Sequence, residues 1–256
     1  MIVQLVGGAG NQMFGLAFGL SMGAKRGEEV FFTRNQVDGN IHGGYALGGF
    51  SINPNFVPKL EPPYYQEPHF QFDPEAINAP RDWSFIGYWQ SEKYHDPSVI
   101  RKSFGFKSEA LSEAALDLGS RILDEDTAFI HVRRGDYLKE PHRSYHGVLS
   151  LDYYKEGIQR IRQTDPYTKF FVFSDDPEWC VHNFPDFEVV GGFTPLEDMW
   201  LMSCCKHAII ANSSFSWWAA RLGENDRGII IAPQRWFLAP VDTSDLIPER
   251  WVRLAN

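Results

Sequence analysis

Along the chain, apolar and polar positions alternate in two registers. Ile2–Val6 is a short apolar run that predicts a buried strand, Asn11–Lys25 predicts a helix, and Val30–Thr33 predicts a second strand, so the chain opens as a βαβ unit. From Asp38 to Pro80 the periodicity dissolves into glycine, proline and aromatics (GNIHGGYALGGF, EPPYYQEPHF). That composition predicts ordered irregular loops, and its aromatics argue against plain disorder. WSFIGYWQSEKYHD follows, rich in strand formers. Ser108–Leu123 predicts a helix with Leu111, Ala115, Leu118 and Ile122 on one face.

After this helix the alternation is regular. Strands are predicted at AFIHV, KFFVFS, FEVV, HAIIAN and GIIIAP, separated by helices at DYYKEGIQRIR, PEWCVHNF, LEDMWLMSCCK and SWWAARLG. Buried strands alternating with helices imply a parallel sheet covered on both faces, hence an α/β fold. The boundary between two α/β units is expected near residue 125, with a cleft between them.

Composition narrows the partners. The 256 residues carry a formal net charge of -9, which argues against nucleic acid, since phosphate backbones need a basic footprint. A small anion held by a few arginines remains open. The three cysteines, Cys180, Cys204 and Cys205, form no disulfide framework and have no metal-ligand spacing. A reducing, cytoplasmic setting is expected. No stretch approaches the roughly 20 apolar residues of a membrane span, and no secretory leader precedes the first strand, so the expectation is a chain that is soluble or docks peripherally.

The chemistry gathers where predicted strands end. In HVRRGDY (131–137) a buried strand runs into two arginines and a carboxylate. Alternation puts His131 and Arg133 on one face and Arg134 on the other. Guanidiniums at the carboxyl end of a parallel strand stand where open α/β sheets bind ligands, and their fork suits phosphate. A structural ion pair between Arg134 and Asp136 is the competing reading. In ANSSFSWW a strand ends at Asn212 and a helix begins near Phe215, so Ser213 and Ser214 would flank free helix amides and make a phosphate seat, or an ordinary serine cap. Trp217 and Trp218 read as packing residues. Asp175 and Asp176 in FSDDPEW are either a metal-binding pair or turn-and-cap residues, the cap being preferred. Asp198 could accept hydrogen bonds from a purine or ribose, or serve as a helix N-terminal charge. His142 and His146 have metal spacing only in a helix, which the flanking Gly135, Pro141 and Gly147 make doubtful.

The opening turn has G-x-G at Gly8 and Gly10, but Met13 stands at the third position and no acid closes the second predicted strand, so a nicotinamide site is disfavoured. The turn would instead present Asn11 and Gln12, whose amides suit a hydroxyl-rich ligand.

GGAGNQMF, HVRRGDY and ANSSFSWWAARL, in that order and with GYWQSEKY and FSDDPEW between them, resemble the bacterial-type α-1,2-fucosyltransferases of glycosyltransferase family eleven. The resemblance runs from Met1 to about Phe237. It implies a GT-B-like architecture of two Rossmann-like units facing a cleft: residues 1–124 on the acceptor and sugar side, 125–256 binding the GDP-sugar. It also implies an inverting, metal-independent transfer of L-fucose from GDP-β-L-fucose to the 2-hydroxyl of a galactoside, with no cofactor and no metal site. Arg133 would contact the β-phosphate, His131 and Asp198 the nucleoside, and Ser213, Ser214 and Phe215 the phosphates. Asn11 would face the fucose. Gly10, Gln12, Arg134, Asp175 and Asn212 complete the candidate donor-binding set; Asp136, Glu140 and His146 follow the arginine motif as candidate bases, Asp136 being preferred. A non-catalytic sugar-binding protein of the same fold is the alternative, and intact arginine and serine motifs favour catalysis.

Overall fold

The computed structural model describes residues 1–39 and 44–256. Residues 40–43, within the predicted loop GNIHGGYALGGF, lie outside the described residues. Two compact units result: Met1–Lys107 with Asp242–Pro248, and Ser108–Val241 with Glu249–Asn256.

The first unit is a five-stranded, all-parallel sheet. Its strands are β1 (Ile2–Gln4), β2 (Phe31–Thr33), β3 (Asn55–Phe56), β4 (Tyr64–Gln66) and β5 (Ser84–Ile86), in the order β3-β2-β1-β5-β4. Helix α1 (Ala9–Arg26) follows β1 as the spacing predicts. It ends where Gly27 turns left-handed at φ 62° and donates its N–H to the Gly23 carbonyl, with Lys25 and Arg26 complementing the dipole. Two short helices complete the unit, α2 (Pro74–Asn78) and α3 (Pro97–Ser103), each with an aspartate N-cap and proline at its start. The returning segment is tied on by Lys93 Nζ to Asp245 Oδ1 at 2.5 Å and Phe72 N to Asp245 Oδ2 at 3.0 Å. Strands β3 and β4 lie inside the stretch expected to be irregular. Strands of two or three residues are too short to show a period of two, and prolines at 62, 63 and 68 disguise β4.

The second unit holds a six-stranded parallel sheet. Its elements are α4 (Glu113–Leu123), β6 (Thr127–Val132), α5 (His142–His146), α6 (Leu151–Thr164), β7 (Lys169–Ser174), α7 (Pro177–Asn183), β8 (Glu188–Val189), α8 (Pro195–Cys204), β9 (His207–Ile209), α9 (Ser214–Gly223), β10 (Ile230–Pro233) and β11 (Val252–Leu254). The strand order is β11-β10-β9-β6-β7-β8. β6 is buried at all six positions, as a central parallel strand must be. Ala128, Ile130 and Val132 face Tyr153, Tyr154, Ile158 and Ile161 of α6. Trp217 and Trp218 are fully buried packing residues, as expected. Helix α4 belongs to this unit, so the two units divide after Lys107 rather than at residue 124. The tie is Glu197 of α8, which accepts the Ser112 N–H at 2.9 Å while closing a capping box with Thr194. The helix at His142–His146 corrects the doubt about HRSYH: the chain passes Pro141 before the helix and uses Gly147 only after it, at φ 73°.

Candidate active site

From β6 the chain moves one way to β7 and β8, then returns so that β9 pairs on the other side of β6. The switch point therefore lies between β6 and β9, and ligands of open α/β sheets bind outside the carboxyl ends of such strands. HVRRGDY leaves β6 there, and ANSSFS leaves β9.

The alternation expected of the arginines stops with β6 at Val132, and both side chains turn to the end of β7. Arg133 Nη2 lies 2.7 Å from Asp136 Oδ1, and its Nη1 lies 3.0 Å from Asp175 Oδ2. Asp175 Oδ1 accepts the main-chain N–H of Arg134 at 2.8 Å. Arg134 Nε reaches Asp176 Oδ2 at 3.0 Å, its guanidinium 4.3 Å from the Trp179 ring centroid. Asp176 also caps α7 by accepting the Trp179 N–H at 3.2 Å, which favours turn-and-cap chemistry for the aspartate pair. Asp136 sits in an arginine ion pair, and that arginine is Arg133 rather than Arg134. Two carboxylates thus hold Arg133 in place, and a guanidinium has five N–H donors to divide between them and a ligand. Gly135 makes room: a Cβ there would stand 2.8 Å from Asp175 Oδ2.

Across the switch point, Ser213 is the N-cap of α9 but makes no side-chain cap bond. The first amides of α9, on Ser214, Phe215 and Ser216, keep their orphan donors and the positive end of the dipole. Asn212 is buried and donates from Nδ2 to the carbonyls of His146 at 2.9 Å, Gly147 at 3.4 Å and Trp236 at 3.2 Å. Its Nδ2 is thus spent on the loop, while its buried Oδ1 has no partner among the described residues. His131 is buried with Nδ1 unpartnered among the described residues, its ring 5.8 Å from that of Phe215. Burial, then the nearby Arg133 charge, pulls its pKa down to about 3, so the imidazole is neutral. Asp198, in the first turn of α8, has a buried Oδ1 with no partner among the described residues. Burial, then Glu197, pushes its carboxyl up to about 7. Both are polar groups placed where a ligand could satisfy them.

At the opening turn of the first unit, Gly7 is left-handed at φ 65° and a Cβ on it would meet Asn11 Nδ2 at 2.6 Å. Gly10 is buried within α1. Gln12 is fully buried: Nε2 donates to the Gly7 and Gly44 carbonyls at 2.9 Å each, and Oε1 accepts the Ala46 N–H at 3.0 Å. Its amide is consumed in closing the turn, a correction to the ligand-facing role expected of it. Asn11 is half-buried, with Oδ1 accepting from Gln90 Nε2 at 2.8 Å. Gln90 and Glu67, which shape this edge, were not singled out in the sequence. GYWQ was visible as a motif, but nothing in it signals a left-handed tryptophan.

Two parallel α/β units, with arginine and helix-amide donors at a switch point, define a GT-B-type fold. Residues 60–255 match the family model described as Glycosyl transferase family 11, and the chain belongs to that family. It is 33% identical over 286 aligned positions to the Alpha-1,2-colitosyltransferase of Escherichia coli, covering 99% of this chain and 98% of the relative. It is 40% identical over 137 positions to the O-antigen biosynthesis glycosyltransferase WbnK of Escherichia coli, covering 50% and 45%. With human Galactoside alpha-(1,2)-fucosyltransferase 1 it shares 30% over 161 positions, 57% of this chain and 42% of that one. The fold is also that of the fucosyltransferase NodZ from Bradyrhizobium, with TM-score 0.52 and 16% identity over 86% of this chain and 92% of NodZ. POFUT1 in complex with GDP-fucose matches with TM-score 0.54 and 12% identity over 90% and 97%.

Proposed function

We propose that this chain transfers a 6-deoxy-L-galactose, L-fucose, from GDP-β-L-fucose to the 2-hydroxyl of a galactoside with inversion. The observation that carries the reading is that the fixed Arg133 guanidinium follows β6, and the N-terminus of α9, without a side-chain cap bond, follows the adjacent paired strand β9, at the switch point of the second sheet. In the transfer, the bond from the sugar C1 to the β-phosphate oxygen breaks and one from the acceptor oxygen to C1 forms. The acceptor proton leaves to a base or to water. Charge builds on the departing diphosphate as the sugar becomes oxocarbenium-like. Arg133 and the amides of Ser214–Ser216 meet that charge without needing to move. Two arginines and three aspartates give the cluster a formal charge of -1, so directed donors rather than net charge do this work. His131 and Asp198 take the nucleoside, and Asn11 of the first unit takes the sugar. Arg134, Asp175 and Asp136 hold Arg133 and its loop in place, so no carboxylate in this cluster is left as an obvious base.

The relative covered almost end to end is named a colitosyltransferase, and colitose is fucose without its 3-hydroxyl. That makes the 3-deoxy donor the specific competitor. Purified protein is incubated with a β-galactoside and either GDP-fucose or GDP-colitose, with and without EDTA, and products are read by mass and anomeric coupling. An α-1,2-fucoside formed equally with EDTA supports the reading. Preference for GDP-colitose replaces the donor. Binding of GDP-fucose without GDP release on adding acceptor would make the chain a binding protein.

A further inference from the structure

In the first unit, Glu67 follows β4 and Gly87 follows β5, on adjacent paired strands. Oε2 of Glu67 accepts the main-chain N–H of Tyr88 at 2.6 Å and of Trp89 at 3.0 Å, and Oε1 lies 3.2 Å from the same Trp89 nitrogen. Gly87 admits this approach, since a Cβ there would stand 2.5 Å from Glu67 Cβ. Beyond the clamp, Trp89 is left-handed at φ 56°, alone among the described non-glycine residues. Its indole stacks on Phe18 at 3.9 Å and 6°, and buries an N–H with no partner among the described residues. A bulky residue keeps such a backbone only where its surroundings over-determine it, and strain of this kind collects at functional sites. The turn closes with Ser91 N donating to the Trp89 carbonyl at 2.9 Å, and the residue between them, Gln90, is buried and donates to Asn11.

We propose that Glu67 is a positioning residue: by gripping the Tyr88 and Trp89 amides it holds the left-handed turn that fixes Gln90 on Asn11 and so aims the Asn11 carboxamide. The inference rests on Asn11 serving the sugar. Glu67 does not itself need to touch substrate. Burial raises its carboxyl to about 7, the two amide bonds oppose that, and Asp73 adds to it. Tyr65, bonded to Asp73, and Tyr94 also face this group. The carboxylate is therefore held against its solvation preference by the turn it grips.

The test compares Glu67→Ala, Glu67→Gln, Gln90→Ala and the Glu67→Ala/Gln90→Ala double variant of the full chain. Turnover is measured with GDP-fucose, GDP affinity by calorimetry, and the Asn11 and Gln90 side-chain amides by nitrogen-15 NMR. Glu67→Ala is expected to lower kcat by roughly 10²-fold, as small misplacements do, with GDP affinity unchanged. Glu67→Gln keeps an acceptor oxygen and is expected to recover most of the loss. The double variant is expected to be no slower than the worse single one, because coupled residues are not additive. Both side-chain amide signals should shift in Glu67→Ala. Additive losses, wild-type kcat in Glu67→Ala, or unmoved amide signals each overturn the proposal. Should Glu67→Ala fail to fold, Glu67→Asp, whose shorter side chain falls short of the two amides, replaces it in the cycle with Gln90→Ala. A wild-type protein that transfers no fucose sinks the functional reading, while the amide signals still decide whether Glu67 positions Asn11.

Discussion

Asp175 serves two neighbours at once: Oδ2 lies 3.0 Å from Arg133 Nη1, and Oδ1 takes the Arg134 main-chain N–H at 2.8 Å. One carboxylate at the end of β7 thereby sets both the side chain and the backbone of the loop leaving β6. The arginine proposed to receive the diphosphate is held before any ligand arrives, and preorganised donors are worth more than ones that must reorganise.

Arg133→Lys keeps the charge and loses the fork, since an ammonium cannot span Asp136, Asp175 and a phosphate together. Turnover with GDP-fucose is expected to fall by about 10²–10³-fold. Asp175→Asn keeps an acceptor but weakens the charged pair, so a smaller loss, about tenfold, is expected as the guanidinium wanders. Steady-state kinetics on both, with circular dichroism to confirm folding, checks this. A lysine variant within a few-fold of wild type would remove Arg133 from the reaction.

GDP binding should depend on pH through Asp198. Its carboxyl is raised to about 7 by burial and by Glu197, so it is ionised above that pH, where it would accept the purine N–H donors proposed for it, and is protonated below it. Affinity for GDP is expected to rise as pH goes from 6 to 8 and then level, and Asp198→Asn should flatten the profile. The linkage to folding has the opposite sign. A carboxyl whose folded value is raised costs stability as pH climbs past its unfolded value, and the cost is complete above about 7. Asp198→Asn should therefore unfold later than wild type at pH 8, by ~1–3 kcal/mol after allowing for partial exposure. Calorimetry and denaturant melts at three pH values check both halves.

The sequence showed the second unit more clearly than the first. AFIHV, KFFVFS and the HAI of HAIIAN lie in strands of a two-sided sheet, whose continuous apolar runs stand out against helices with one apolar face. EPPYYQEPHF hid β4, because a three-residue strand between prolines has no period to read. β11 is hidden by its three-residue length alone, with an exposed arginine between the half-buried Val252 and Leu254. At the site, strand ends told where chemistry gathers, but not which amides are free. Gln12 and Asn212 resemble ligand donors in sequence, and only the carbonyls around them show their amide N–H groups already engaged.

That distinction makes Asn212 a stability residue. Its Nδ2 is the donor shared by the carbonyls of His146 at the end of α5, of Gly147 after it, and of Trp236. Asn212→Ala leaves buried acceptors unmet, which costs about 1–3 kcal/mol. The expected result is a lower unfolding midpoint, with GDP affinity falling less than in Asp198→Asn at pH 8. A variant as stable as wild type would show that these carbonyls find other partners.

Gly223 sets how closely α9 can lie on α8. A Cβ at this position would stand 2.3 Å from the main-chain oxygen of Ser203. Backbone cannot swing aside as a side-chain tip can, so Gly223→Ala must push the helices apart or unwind the end of α9. Overpacking of this kind costs typically about 1–3 kcal/mol, outweighing the ~0.4–1 kcal/mol an alanine gains by restricting the unfolded chain. The damage lies at the far end of α9 from Ser214, ten residues from helix start to helix end. Gly223→Ala is therefore expected to lower the unfolding midpoint while leaving GDP affinity within a few-fold of wild type. Urea melts and calorimetry on the same preparation separate the two. Loss of GDP binding in a Gly223→Ala protein that still folds would mean that the packing of α8 on α9 holds the phosphate seat, and not the caps and loops at its mouth.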